Sequence, residues 1–169
     1  RRAYLVQDFE PLEHAAGTLY SLAEQTYQLD LMGLFDSPGV HAFVTRQYPL
    51  AGPCFEPVAD PAFRAPRPAH ARPGPLRLLC LAHPLVPKSG FELALTVLRR
   101  IKEELREAVD IVCVGRPFEP ERFEAGGVLR SLAPLTPEDT AALYRTCDVA
   151  LALSFTPHPT QQVVNAMAS

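Results

Sequence analysis

The stretch Leu76-Arg-Leu-Leu-Cys-Leu-Ala82 decides the fold of this chain, because it is an apolar run of strand length without polar alternation. Asp110-Ile-Val-Cys-Val-Gly115 and Asp148-Val-Ala-Leu-Ala-Leu-Ser154 repeat this pattern, and Gly127-Val-Leu-Arg-Ser-Leu132 is a weaker example. Strands that lack alternation are buried on both faces, which is typical of parallel sheets covered by helices. These four segments therefore predict the strands of one parallel sheet.

Helical patterns separate these strands. One apolar stripe has spacings of three and four residues and predicts a helix about 20 residues long; it consists of Phe91, Leu95, Leu98, Ile101, Leu105 and Val109. Thr136-Pro137-Glu138-Asp139 has the capping hydroxyl, the proline and the acidic residues of a helix start. A last helix is predicted from 161 to 169. The alternation of strands and helices predicts an α/β fold with a Rossmann-like, doubly wound parallel sheet.

The ligand-binding edge of such a sheet follows from its topology. Right-handed crossovers bring every strand-to-helix loop to one edge, and open α/β sheets bind their ligands there. The four predicted loops are 82–89, 115–122, 133–136 and 155–162. We therefore expect any ligand-binding site of the sheet to lie on these loops.

A proline-rich stretch divides the chain. Residues 57–75 contain six prolines, which disfavour both helices and central strands, so this stretch is predicted to be a linker. Residues 76–169 then form a C-terminal domain that is truncated, and residues 1–56 form the end of a preceding domain. In that first part we predict strands at 3–7 and 31–35 and helices at 17–29 and 38–47.

Composition excludes several classes of function. The 169 residues carry a net charge of −3, so no basic field is available for nucleic acid. No apolar run reaches the roughly 18 residues of a membrane span, so we expect a cytoplasmic protein with at most peripheral membrane association. Motifs for dinucleotides, P-loop nucleotides, nucleophile elbows and metals are absent, and no cofactor or metal is expected. The cysteines are interpreted as buried, reduced thiols; they are Cys54, Cys80, Cys113 and Cys147.

Several polar residues on the predicted loops could carry chemistry. Lys88 precedes a helix start, where free N–H groups favour an anion, so it is either part of a diphosphate cradle or a surface lysine. Arg116 follows a strand and either pairs with phosphate or is solvated. His158, between Thr156 and Thr160, is a loop residue or a catalyst. Asn165 either bonds a sugar hydroxyl or makes a polar surface contact.

Two carboxylates end the first predicted strand. Asp8 and Glu10 either face a cleft or belong to a solvated loop. The sequence pattern alone leaves these two alternatives open.

The order of these segments resembles a subgroup of family 4 glycosyltransferases, which includes bacterial rhamnosyltransferases that use dTDP-rhamnose. The similarity lies in Tyr4-Leu-Val-Gln-Asp-Phe-Glu-Pro11, in Ala16-Gly17-Thr18 with the Leu22-Ala-Glu24 that follows, and in Val86-Pro-Lys-Ser-Gly-Phe-Glu-Leu93 after Ala82-His83-Pro84. It covers most of the chain. The resemblance implies the GT-B architecture, in which two Rossmann-like domains face each other.

The resemblance also implies roles for individual residues. Its donor is a nucleotide-diphosphate sugar such as dTDP-rhamnose, and its acceptor is a glycan or a lipid-linked glycan in surface polysaccharide synthesis. The acceptor side comprises Asp8, Glu10, Gly17 and Thr18. The donor side comprises His83, Lys88, Arg116, Pro134, Leu135, Thr156, His158, Thr160 and Asn165.

The sequence departs from the family at three positions. The two glutamates of retaining members correspond to Pro157 and Asn165, and the diphosphate-binding arginine corresponds to His83. The catalytic residues are therefore unassigned. Alternative interpretations are a non-catalytic GT-B module that binds nucleotide sugars and an unrelated α/β domain such as a flavodoxin-like regulator.

Overall fold

The structure, a computed structural model, describes residues 2–64, 73–156, 158 and 160–169. It divides into two compact units. Unit 1 comprises Arg1–Val58, Val86–Lys88 and Ser154–Gln161, and unit 2 comprises Ala59–Leu85, Ser89–Leu153 and Gln162–Ser169. Every strand pair among the described residues is parallel, which confirms the predicted α/β class.

Unit 1 contains a short βαβα arrangement. Strand β1 (Ala3–Val6) pairs with β2 (Met32–Phe35) from Ala3↔Met32 to Val6↔Phe35. Helix α1 (Thr18–Gln25) lies between them in sequence and is shorter than predicted, because a 3₁₀ turn at Thr26–Gln28 follows it. Helix α2 (Pro38–Gln47) has the predicted bounds, and the Ser37 hydroxyl caps it by accepting the Val40 N–H at 3.2 Å.

The core of unit 1 is largely aromatic and β-branched. Phe9 stacks on Tyr27 with ring centroids 5.4 Å apart, and both side chains are buried. The other buried members of this core are Val6, Phe35, Val40, Val44 and Leu50. The chain after α2 returns beside β2, where Gly33 N–H donates to Ala51 O at 2.9 Å. Because Phe9 follows β1 and is buried in this core, the core holds the loop after β1 in place.

Unit 2 contains a four-stranded sheet. Its strands are β3 (Leu76–Ala82), β4 (Val109–Gly115), β5 (Arg130–Ser131) and β6 (Val149–Ala152), in the spatial order β5-β4-β3-β6. The first strand of the unit is thus central, with β4 on one side and β6 on the other, which is the order of a Rossmann-like sheet. The side chains from Leu78 to Ala82 are all buried, as expected for a strand covered on both faces.

Helices follow three strands of unit 2: α3 (Phe91–Leu105) follows β3, α4 (Pro137–Arg145) follows β5, and α5 (Gln161–Met167) follows β6. Strand β4 is followed only by a 3₁₀ turn at Pro120–Phe123. The predicted start of α4 is confirmed, since Thr136 Oγ1 accepts the Asp139 N–H at 3.1 Å. The prediction for α3 was too long. A 3₁₀ turn at Arg106–Ala108 ends the helix where Arg106 has a φ of +48°, and Val109 begins β4.

Two further predictions need correction. The weak strand at 127–132 is only two residues long, because Gly127 adopts a φ of +73° and only Arg130 and Ser131 pair with β4. The proline-rich stretch holds one 3₁₀ turn, Pro61–Arg64, although no helix was expected there. Phe63 in this turn is buried against Tyr144, with ring centroids 5.2 Å apart. The predicted linker residues 65–72 lie outside the described residues.

All four cysteines are free thiols. Cys80, Cys113 and Cys147 are buried as predicted, whereas Cys54 is exposed, which corrects the expectation for that residue. Among the described residues, no helix combines the length and the apolar character that a membrane span requires.

Candidate functional site at the sheet edge and around Asp8

The sheet of unit 2 changes its winding direction between β3 and β6. At this switch point the chain leaves β3 towards α3 and β4, and it leaves β6 towards α5. In open α/β sheets the ligand crevice lies at such a point, outside the carboxyl ends of the strands. His83 directly follows β3, and Gln162 lies in the first turn of α5. Their side chains meet across this point, with the two Nε2 atoms 3.1 Å apart. The predicted residue His83 therefore lies at the expected edge, and its neighbour Gln162 is the last residue of the predicted loop 155–162, although the sequence did not single it out.

The end of β4 closes over the end of β3. The Arg116 N–H donates to Ala82 O at 3.1 Å. Gly115 has a φ of +122°, and a Cβ at that position would lie 2.4 Å from Ala82 O and 3.2 Å from His83 Nε2. A glycine is therefore required for this close approach. The Arg116 side chain is exposed at the same edge, where its guanidinium is available to an anion.

The start of α3 also belongs to this edge of unit 2. Gly90 is the N-cap residue in the left-handed conformation, with a φ of +58°, and no side chain caps the helix. The first-turn N–H groups of this 15-residue helix are therefore not capped by a side chain and remain available as hydrogen-bond donors. A negative charge near this helix start is favoured. Ser89 Oγ donates to His83 O at 2.8 Å and links this helix start to the residue after β3.

Three other residues of unit 2 that were predicted to bind the nucleotide-sugar donor differ in their surroundings. Pro134 and Leu135 are exposed after β5. Asn165 lies on α5, and its Oδ1 accepts the Asp60 N–H at 3.0 Å. The polar contact that was one of the two alternatives for Asn165 is thus present within unit 2.

In unit 1, four titratable side chains form a group that we call the Asp8 cluster: Asp8, Glu13, Lys88 and His158. Lys88 Nζ forms ion pairs with Asp8 Oδ2 and with Glu13 Oε1, the latter at 2.6 Å. His158 Nε2 lies 3.2 Å from Asp8 Oδ1. Two residues predicted on the donor side and one predicted on the acceptor side are therefore in direct contact.

Charge and burial shift the pKa values in this cluster. Burial of Asp8 would raise its pKa, but the close side chains of His158 and Lys88 reverse the effect and leave the pKa below its ordinary value. Burial likewise acts to lower the pKa of Lys88, and the hydrogen bonds to Asp8 and Glu13 outweigh it, so that the pKa is raised. Both groups are held in their charged forms.

Glu10 and Asp36 are two further carboxylates of unit 1, and burial raises the pKa of each. The Tyr27 hydroxyl accepts the Glu10 N–H at 3.0 Å, contacts the Glu10 carboxylate, and lies 3.1 Å from Asp8 O. Asp36 Oδ1 is buried without a hydrogen-bond partner among the described residues. For Asp8 and Glu10, the alternative of a solvated loop is wrong, because neither side chain is freely exposed.

The segment before α5 packs on Lys88. Phe155 N–H and Ser154 Oγ both donate to Lys88 O, at 2.8 Å and 3.3 Å. Thr156 Oγ1 donates to His158 O at 2.8 Å. Thr160 is half-buried, and Pro157 lies outside the described residues.

The last two predicted acceptor-side residues begin α1. Gly17 is its N-cap residue, and its carbonyl accepts the Ser21 N–H at 3.0 Å. Thr18 is the first helical residue and is exposed. Among the described residues, neither forms a hydrogen bond or an ion pair with the Asp8 cluster. Over the ranges that the structure describes, no three His, Cys, Asp or Glu side chains gather in a way that would hold a metal ion.

Known proteins are similar in sequence to residues 76–169 and to nearly the whole chain. Residues 76–169 match the family described as "WsaF, C-terminal domain". The chain is also 42% identical over 167 residues to a protein of Myxococcus xanthus named O-antigen biosynthesis protein RfbC. That alignment covers 99% of this chain and 13% of the relative, so the chain spans about an eighth of the curated protein that it matches.

Proposed function

The chain belongs to the WsaF C-terminal domain family, and from this membership we propose that it is part of a glycosyltransferase of surface polysaccharide synthesis. The name of the relative from Myxococcus xanthus, an O-antigen biosynthesis protein, supports this class of product. The proposed donor is a nucleotide-diphosphate sugar that carries a hexose or a deoxyhexose such as rhamnose. The proposed acceptor is a glycan or a lipid-linked glycan, and the proposed architecture is GT-B.

The observation that carries the proposal is the edge of unit 2 at the switch point. His83, Arg116 and the uncapped start of α3 all belong to this edge, and each offers donors to an anion. In the transfer reaction an acceptor hydroxyl attacks the anomeric carbon, and the bond from that carbon to the diphosphate oxygen breaks. Negative charge develops on the departing diphosphate, so fixed donors that face it stabilise the transition state.

Binding of the nucleotide alone tests the donor site. We expect dTDP, UDP or GDP to bind the chain in a calorimetric titration and Arg116→Ala to weaken that binding about tenfold or more. Arg122→Ala is the matched control, because the Arg122 side chain is 76% exposed and its ion pair with Glu119 is long, at 4.0 Å. Failure of all three nucleotides to bind would contradict the proposed donor site.

A second candidate function is a non-catalytic module that binds nucleotide sugars. It is favoured by Asn165, which stands where retaining members of the resembling family carry a glutamate and whose Oδ1 is already bonded to Asp60 N–H. The two candidates differ in turnover. A transferase releases nucleotide diphosphate from its sugar donor when an acceptor glycan is present, whereas a binding module retains the intact donor.

A further inference from the structure

We propose that Asp8 is a positioning residue, which fixes the segments Val86–Lys88 and Ser154–Gln161 to one another by holding Lys88 and His158 at the same time. Both segments belong to unit 1, as does Asp8 itself. The first segment leads along the chain into α3 and the second into α5. One carboxylate would thus control two of the loops that sequence analysis assigned to the donor.

The two oxygens of Asp8 serve different partners. Oδ2 pairs with Lys88 Nζ, whereas Oδ1 lies 3.2 Å from His158 Nε2 and also accepts the Phe9 N–H at 2.7 Å. The side chains are largely withdrawn from water, with exposed fractions of 13% for Asp8, 16% for Lys88 and 6% for His158. Buried, charge-assisted bonds of this kind are stronger than exposed ones.

Backbone contacts join the same two segments on their other side. Lys88 O accepts both Phe155 N–H and Ser154 Oγ, and Thr156 Oγ1 donates to His158 O. These bonds fix the backbone of the second segment on Lys88, while Asp8 fixes the side chains of Lys88 and His158. The segments are therefore held at two points, a backbone point at Lys88 O and a side-chain point that depends on Asp8, and we expect loss of the second to loosen the first.

Glu13 cannot replace Asp8 in this role. Its carboxylate also contacts Lys88 Nζ, but its side chain is 47% exposed, against 13% for Asp8, so water screens and competes for this pair. Two further carboxylates, Glu10 and Asp36, act on the cluster through charge rather than through a bond to Lys88. Without Asp8, we expect Lys88 to remain paired with Glu13 and to lose its link to His158.

The functional consequence rests on the proposed function. If Lys88 contributes to diphosphate binding, an untethered ammonium must be ordered when the nucleotide binds, which lowers affinity. Net charge alone predicts tighter nucleotide binding by Asp8→Asn, because the substitution removes a negative charge that repels the diphosphate. Weaker nucleotide binding by this variant therefore distinguishes positioning from net charge.

The first experiment follows the Lys88 ammonium directly. The chain has only two lysines, Lys88 and Lys102, so ¹³C-dimethylation gives two side-chain signals in NMR, with Lys102 as the internal reference. We expect Asp8→Asn to lower the pH at which Lys88 titrates and Glu13→Gln to lower it less. An unchanged Lys88 titration in Asp8→Asn, or a larger effect of Glu13→Gln, would overturn the proposal.

The second experiment follows the loop backbone by hydrogen exchange. We expect the Phe155 amide to exchange about tenfold faster in Asp8→Asn, with strand amides such as those of Leu79 and Ile111 unchanged. Asp8→Glu should restore part of the protection. Asp30→Asn, the same change at an exposed aspartate of unit 1, should leave it unaltered. Equal acceleration at all amides, or none at Phe155, contradicts a positioning role.

The third experiment connects the cluster to the nucleotide. We expect Asp8→Asn and Lys88→Met each to weaken dTDP binding several-fold, and the double variant to be no weaker than Lys88→Met alone, because Asp8 acts through Lys88. Additive losses or tighter binding in Asp8→Asn would refute the link. If the unaltered chain binds no nucleotide, the proposed donor site fails, while the NMR and exchange experiments still decide the positioning role.

Discussion

His83 and Gln162 meet where the sheet of unit 2 reverses its winding, with their side-chain Nε2 atoms 3.1 Å apart. The contact joins the residue after the central strand to the first turn of α5. An imidazole that accepts the amide N–H of Gln162 at Nε2 carries its proton on Nδ1. The pair therefore fixes the orientation of a ring that belongs to the proposed donor edge.

His83→Arg should strengthen nucleotide binding. The glycosyltransferase subgroup that the sequence resembles carries arginine at this position. A guanidinium is permanently charged and can bind phosphate oxygens with two parallel hydrogen bonds. We expect dTDP affinity to rise about tenfold in calorimetry. Ala108→Arg adds the same charge in unit 2, on an exposed residue just before β4 and so at the other edge of the sheet, and serves as the control. Unchanged affinity in His83→Arg would indicate that the diphosphate lies elsewhere.

Asp110→Asn should reduce stability in a pH-dependent way. Asp110 contacts Arg77 Nε at 3.1 Å and Arg130 Nη2 at 2.9 Å. Burial acts to raise its pKa, but the bonds from Arg130 and Arg77 dominate and lower it. Because the folded-state pKa is lowered, this stabilisation is present above the unfolded pKa of about 3.9 and is lost as the pH falls through the folded value.

Urea unfolding at a series of pH values measures this effect. We expect the variant to be less stable by about 1–2 kcal/mol at pH 7 and the difference to shrink below about pH 4. The exposed Asp30→Asn should show little difference at any pH. A difference that is constant with pH would mean that packing, and not charge, explains the loss.

Tyr27→Phe should destabilise unit 1. The Tyr27 side chain is fully buried, and its hydroxyl holds the Glu10 N–H and carboxylate together beside Asp8 O. Removing the hydroxyl leaves these buried groups short of a partner, which costs about 1–3 kcal/mol. The denaturant midpoint measures the loss, with the half-exposed Tyr20→Phe for comparison. Equal small changes in the two variants would contradict this role.

Gly52→Ala should be poorly tolerated. A Cβ on Gly52 would lie 1.8 Å from the backbone oxygen of Gly33, so the chain beside β2 would have to move. We expect a loss of about 2–3 kcal/mol in the free energy of unfolding of unit 1. Gly126→Ala, whose Cβ would come no closer than 3.4 Å to Glu121, should change stability by less than about 1 kcal/mol.

Much of the fold was accessible from sequence because its strands are unbroken apolar runs. Leu76–Ala82 forms β3 with the predicted bounds, since β4 and β6 on either side and the helices above and below favour apolar residues at every position. Periodicity failed at the end of α3. Val109 continues the helical spacing but belongs to β4, and the break at Arg106, with a φ of +48°, has no glycine to signal it.

Only part of the candidate site could be predicted from the sequence, and the reason is physical. The positions of His83 and Arg116 at the sheet edge could be predicted because topology alone places the ends of parallel strands at one edge. Gln162 and Glu13 were missed, since their importance depends on contacts with His83 and Lys88 that no local pattern encodes. The pairing of Lys88 with Asp8 joins residues that are 80 positions apart, and spacing could only assign each to its own loop.

The central position of β3 has a consequence for how the chain folds. Its neighbour β6 comes late in the sequence, and the bond from Arg77 N–H to Asp148 Oδ2 at the start of this pairing spans 71 residues. Contacts between such distant segments make folding slow, because a long loop must close first. During synthesis one edge of β3 stays unpaired until β6 has emerged, and an apolar edge left open in that interval is prone to aggregation. Chaperone dependence and slow refolding are therefore expected of unit 2.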